Sequence, residues 1–196
     1  VAIADPNLAE EVIRDAQQRS SNNTLVLANR VSPSGDQSQP PTTYERTIAE
    51  LLNDQRITLA KEVANENIAK IIAILKRELA LTDDDFVKVP VMYTLPGDVA
   101  LPTQNESSGN AYIVSAYFPN AVNGLYLGDY QFVAPMQFGP MIQSEDIMQA
   151  AVQNALAPHG IDIRWINDFN YAHLGVGNVH CVTNSFRDLT DVRRWW

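Results

Sequence analysis

A mixed architecture, α/β or α+β, is what the sequence predicts, and three observations carry it. Segments of strand and helix character follow one another in the order strand, helix, strand, strand, helix, strand, which excludes an all-β protein and a helical bundle. Residues 58–81 repeat apolar side chains at spacings of three and four, the period of a helix. Residues 161–166 alternate with period two, the period of a strand. The chain has 196 residues, 45% of them hydrophobic and 19% charged, the composition of one globular domain or a large piece of one. A compact fold of that length buries roughly 70% of its unfolded surface, so a core can form without staples.

Val1 to Ala4 reads as the end of a strand. Asp5-Pro6 then opens a helix to about Arg19, because Asp is a good N-cap and Pro is preferred at the first helical position. Leu8, Val12, Ile13 and Ala16 fall on one face of it, with Glu10 and Glu11 towards the favourable N-terminal end. Residues 20–23 make a turn and Thr24 to Ala28 a short apolar strand. Residues 31–43, rich in Pro, Ser and Gly, form an exposed loop, an insertion within one domain rather than a linker. Tyr44 to Leu52 is expected as a short helix and Thr58 to Leu81 as a long one. The long helix would lay Leu59, Val63, Ile68, Ile71, Ile72, Leu75 and Leu79 on a sheet. Thr82 to Asp85 is a solvated turn, since it lacks the alternating oxygens and late Glu of a calcium loop.

Phe86 to Leu95 reads as a strand whose Pro90 marks an edge or a bulge, and residues 96–110 as a second inserted polar loop. Ala111 to Tyr117 and Gly124 to Leu127 are expected as strands joined by a turn at residues 118–123. After the Pro-punctuated stretch 134–140 comes a helix from about Ser144 to Leu156, with Ser144 as its cap and Glu145 and Asp146 in its first turn. Pro158-His159-Gly160 stops it, and Ile161 to Ile166 is a half-buried strand. The triplets opening at Asn22 and Asn105 match the glycosylation pattern, which matters only in a secreted protein. No Gly-rich phosphate loop follows a strand, and no paired histidines have metal spacing.

Charge narrows the partners. Against 14 Lys and Arg stand 23 Asp and Glu, a net charge of −9 that repels nucleic acid and anionic membranes and favours cationic ligands rich in arginine or lysine. No apolar run reaches the roughly 18 to 20 residues needed to span a bilayer, and the N-terminus has no signal pattern. Lacking an initiator methionine, the chain reads as cut from something longer or processed from a precursor. One cysteine excludes an intrachain disulfide and any Cys-rich zinc site, and suits a reducing compartment.

That cysteine lies in Gly177-Asn178-Val179-His180-Cys181-Val182-Thr183-Asn184, beside one of three histidines. Val179 and Val182 suggest a short extended segment, preceded by Gly175 and Gly177. Cys181 has two readings, a nucleophile or a small buried hydrophobe. In an extended segment His180 points away from Cys181 and is a poor base for it. His159, after a helix end, reads as a surface residue, and a cysteine hydrolase of another kind would need His173 beside Cys181.

The octapeptide resembles the Gly-Glu-Val-His-Cys-Gly-Thr-Asn signature around the nucleophile of the protein-arginine deiminases. Ile166-Asn167-Asp168-Phe169 and His173 resemble the approach to it. Lys76-Arg77-Glu78-Leu79, Phe118-Pro119-Asn120-Ala121-Val122-Asn123, Phe138-Gly139-Pro140 and Trp195-Trp196 resemble further family blocks in the same order, so the likeness runs across most of 59–196. It implies a pentein fold, a ring of strand and helix modules of which this chain is the C-terminal portion, and hydrolysis of peptidyl-arginine to peptidyl-citrulline and ammonia. It makes Cys181 the nucleophile and Gly177, Asn178, His180 and Asn184 residues that shape the site. It also implies an arginine-containing protein or peptide as substrate, calcium as cofactor with ligands mostly upstream, and a cytoplasmic location. The family's histidine and one substrate-binding aspartate come from a His-x-Asp motif, and no His of this chain is followed two residues later by Asp. Val1 to Ala4 resembles the strand after that motif. Asn178 stands where the family usually has Glu, and Val182 where it has Gly. Asp162 and Asp168 are tempting guanidinium ligands, but read as the polar face of a strand and a turn residue. The alternative to an enzyme segment is a non-catalytic, deiminase-like binding or structural protein.

Overall fold

The protein is described here from a computed structural model, which covers residues 1–20, 25–29, 43–95 and 113–184. The loop at 31–43 apart from Thr43, the loop at 96–110, the triplets at Asn22 and Asn105 and the Trp195-Trp196 pair lie outside the described residues.

Strand β1 (Ala2–Asp5) ends in the residue that starts helix α1 (Pro6–Arg19). The Asp5 carboxylate accepts the Asn7 and Leu8 amides at 3.0 and 2.9 Å, satisfying two donors that have no partner inside the helix. Ala9, Ile13 and Ala16 form its buried stripe. Strand β2 (Leu25–Asn29) pairs antiparallel with β3 (Thr43–Thr47), so the expected helix from Tyr44 is a strand for its first turn. The β-branched threonines and Tyr44 suit a pleated ladder, and only at Thr47 does a capping box start helix α2 (Ile48–Leu52). There the Glu50 amide donates to Thr47 Oγ1 at 3.1 Å, and the Thr47 amide donates to Glu50 Oε2 at 2.7 Å.

Helix α3 (Gln55–Leu79) begins at an Asp54 cap, three residues before the expected start. It buries Ile57, Ala60 and Ala64. Of the later apolar residues expected against a sheet, Ile71 and Leu79 are 48% and 61% exposed, whereas Ile68, Ile72 and Leu75 are half-buried. Twenty-five helical residues extend about 37 Å, and the helix packs on its neighbours mainly through its first half.

Strand β4 (Val87–Pro90) lies parallel to β1, with Ala2 opposite Val87 and Asp5 opposite Pro90. Pro90 has no amide to extend a ladder, and the expected strand 86–95 breaks after it. It resumes as β5 (Tyr93–Thr94), antiparallel to β6 (Ser115–Ala116).

The largest described sheet contains β7 (Leu125–Gly128), β8 (Gln131–Pro135) and, further along, β11 (Asp162–Ile166), with β8 in the middle. The prolines of 134–140 hid β8 from the sequence pattern, although Pro135 only ends it. Next, β9 (Met141–Ile142) and β10 (Glu145–Asp146) form a tight hairpin. Gln143 and Ser144 sit at its tip with φ of 51° and 68°, so Ser144 is a turn residue and not the helix cap. Asp146 caps helix α4 (Ile147–Leu156) instead, accepting the Gln149 and Gly139 amides, both at 3.0 Å. Through α4 the chain crosses over from β8 to its parallel neighbour β11.

Among the described residues two clusters form the core. One joins α1, α2 and the start of α3 to Met92, Tyr117, Phe118, Ile147 and Met148. The other packs Val89, Ala121 and Ala134 against Val152, Leu156 and Ile163. The observed class is therefore mixed helix and strand, α/β, with open sheets. Among the described residues no helix is long and apolar enough to cross a membrane.

Candidate active site

The chain leaves β11 and folds back over itself between residues 167 and 184. The Asp168 carbonyl gathers three amides, from Tyr171 at 3.1 Å, Ala172 at 2.8 Å and His173 at 3.2 Å, and the Ala172 carbonyl then accepts the Gly177 amide at 2.9 Å. Val179–Val182 is a 3-10 turn and not the extended segment expected. Among the described residues no strand pairs with it; the Cys181 amide instead donates to the Asn178 carbonyl at 2.9 Å, closing the turn locally. With about three residues per turn, side chains no longer alternate between two faces, and the strand argument that separated His180 from Cys181 does not apply.

Cys181 is exposed, which removes the buried-hydrophobe reading. Its thiol accepts a hydrogen bond from Asn123 Nδ2 at 3.0 Å, across 58 positions of sequence. That amide, and after it the Asn178 backbone amide, hold the thiol below its ordinary pKa by favouring the charged sulfur. His180 is also exposed, and its amide donates to the Asn123 carbonyl at 3.1 Å. A Cβ on Gly177 would stand 3.2 Å from Cys181 Cβ and 3.8 Å from the sulfur, so a side chain there would crowd the thiol.

Beneath the turn lies a buried polar cluster of Asn178, Asp168 and His173, exposed by 3%, 5% and 4%. Asn178 Oδ1 accepts the Asn120 amide at 3.0 Å, which orients the side chain and turns its Nδ2 towards Asp168 Oδ2 at 3.3 Å and His173 Nδ1 at 3.4 Å. With Nδ1 as acceptor, the His173 proton sits on Nε2, 3.3 Å from the Tyr117 carbonyl. Burial lowers the His173 pKa to about 4, keeping the ring neutral, and burial also raises that of Asp168 against the Asn178 amide.

The ring nitrogens of His173 thus face the Asn178 amide and the Tyr117 carbonyl. Asp168 is buried under the loop as a turn residue, and Asp162 lies exposed on β11, 3.0 Å from Arg164. His159 is exposed after α4, and Asn184 is exposed at the end of the described segment. Among the described residues no three His, Cys, Asp or Glu side chains gather to hold an ion. Sequence reasoning does not single out Asn120 and Asn123; their signal is their place in the block 118–123, which has turn chemistry and resembles a family block.

A family model for protein-arginine deiminase matches residues 1–196. The chain belongs to that family. Among curated deiminases, the mouse type-4 protein is 34% identical over 151 residues, which are 77% of this chain and 21% of the relative. The mouse type-1 protein is 30% identical over 152 residues, 78% of this chain and 20% of its own length. The human type-4 protein is 35% identical over 123 residues, 63% of this chain and 16% of the relative. The chain therefore spans about a fifth of the length of the deiminases it matches.

Proposed function

We propose that this chain supplies the nucleophile segment of a deiminase that converts peptidyl-arginine in proteins to peptidyl-citrulline. The observation that carries the reading is an exposed thiol, polarised towards its anion by a side-chain amide, inside the family's octapeptide. The Cys181 sulfur donates an electron pair to the guanidinium carbon and a C–S bond forms. A proton passes to one terminal nitrogen, the C–N bond breaks, and ammonia leaves a thiouronium. Water then adds to the same carbon and gives up both of its protons as the C–S bond breaks, which returns the thiolate and a ureido group. The net charge of −9 favours a cationic substrate.

In this reading the histidine that protonates the departing nitrogen, and the two carboxylates that hold the planar guanidinium, belong to a His-x-Asp motif and a further Asp that this chain does not contain. Calcium is assigned to upstream ligands as well, and no step above runs through it. The strand and helix units are modules of a pentein ring, in a cytoplasmic setting that keeps the thiol reduced. Expression of the complete reading frame tests this: it should release citrulline from an arginine peptide, and Cys181→Ser should abolish release. Citrulline release retained in that variant would sink the reading. The second reading is a non-catalytic deiminase-like binding or structural protein, and a complete frame without citrulline release would support it.

A further inference from the structure

We propose that Asn123 is the residue that holds the Cys181 sulfur as a reactive thiolate, gripping the nucleophile turn with its side-chain amide and its backbone carbonyl together. The inference rests on Cys181 being the nucleophile. A neutral thiol is a weak acceptor, whereas an anionic sulfur accepts strongly, so a donor amide 3.0 Å away favours the ionised state without bringing a positive charge to the site. A neutral donor suits a site that must receive a guanidinium cation. The same residue accepts the His180 amide at 3.1 Å, so the dipeptide carrying the sulfur is tied to Asn123 at two points.

Asn123 is itself held in place. Its amide donates to the Asn120 carbonyl at 3.0 Å, and the Val122 amide to Asn120 Oδ1 at 3.0 Å. The Asn120 amide in turn donates to the buried Asn178 side chain at 3.0 Å, which links this loop to the floor of the nucleophile turn. The next residue is Gly124, where a Cβ would meet the Val133 carbonyl at 2.4 Å, so only glycine lets the loop settle on β8. The donor is therefore fixed before substrate arrives, the arrangement in which one hydrogen bond acts most strongly on a developing or standing charge.

The test is the pH dependence of iodoacetamide alkylation of the 196-residue chain, in which Cys181 is the one cysteine and labelling is unambiguous by intact mass. The sulfur displaces iodide and forms a C–S bond, and the thiol proton goes to solvent. Asn123→Ala should move the midpoint to higher pH and slow alkylation at neutral pH about three- to tenfold, the effect of one solvent-screened bond to a charged group. Asn123→Asp, close to isosteric, should slow it further because a carboxylate repels the thiolate. Circular dichroism unchanged from the parent chain shows that a variant has folded. An unchanged or lowered midpoint in folded Asn123→Ala, or faster alkylation in folded Asn123→Asp, overturns the proposal. Alkylation needs no deimination, so this outcome is separate from the citrulline assay on Cys181→Ser.

Discussion

Replacing His173 by Gln should flatten the loss of stability at acid pH. His173 is 4% exposed, and burial takes its pKa from the ordinary 6.5 to about 4. Between these values the unfolded chain binds a proton that the folded chain refuses, so stability is fully present above pH 6.5 and falls as pH drops towards 4. At a little over 1 kcal/mol per unit, lowering the pH to 4.5 costs on the order of 2–3 kcal/mol. Asp168 acts with the opposite sign: its raised pKa favours the folded state at acid pH, a contribution lost as pH rises through that value. The wild-type slope is the difference of the two, and His173→Gln isolates the histidine while keeping a donor for the Tyr117 carbonyl. Urea unfolding followed by tryptophan fluorescence at pH 7.5, 6, 5 and 4.5 measures it. A difference of roughly 1 M in the relative shift of midpoints between pH 7.5 and 4.5 is expected. Parallel pH profiles for wild type and His173→Gln would refute the buried, neutral imidazole.

Three smaller tests address the scaffold. Gly124→Ala would place a methyl 2.4 Å from the Val133 carbonyl and 2.5 Å from the Phe132 ring; it should lose about 1–3 kcal/mol and slow Cys181 alkylation, and an unchanged melting temperature would contradict the packing described. Leu51→Ala, at a fully buried position in the first core cluster, should cost about 2–5 kcal/mol in urea unfolding, and a cost below about 1 would place Leu51 outside the core. Asp5→Ala should cost about 1 kcal/mol through the lost helix cap, whereas Asp5→Asn should be nearly neutral. The exposed Lys88 that Asn would lose as an ion-pair partner contributes little, so equal losses would mean that the pair outweighs the cap.

Local chemistry was legible in the sequence where one residue type decides the matter. Asp5-Pro6 announced the start of α1, Pro158-His159-Gly160 the end of α4, and the alternation after it β11. Other elements depended on partners that no window contains. Tyr44 to Thr47 forms a strand because β2 pairs with it, and β8 is central because α4 returns the chain to lie beside it. The apolar repeat of α3 predicted the helix correctly but not its burial, since periodicity does not say how far the supporting surface extends. At the site, Cys181 stood out by its chemistry. Asn123 did not, because an asparagine in a turn has a sufficient local explanation and its contact with the sulfur spans 58 residues. Asn178 departs from the family's glutamate, and its place in the fold shows what it joins, a backbone amide above and a buried Asp and His below.

The central claim, that the Cys181 sulfur forms a covalent bond to the arginine guanidinium carbon, is tested most directly by acid-quenching the complete protein during turnover of an arginine peptide and mapping the adduct by mass spectrometry. A modification is expected on the peptide containing Cys181 whose mass equals the substrate less one ammonia, and none when the arginine peptide is left out. Citrulline accumulating while Cys181 stays unmodified, in quenches that retain a control thiouronium, would contradict it.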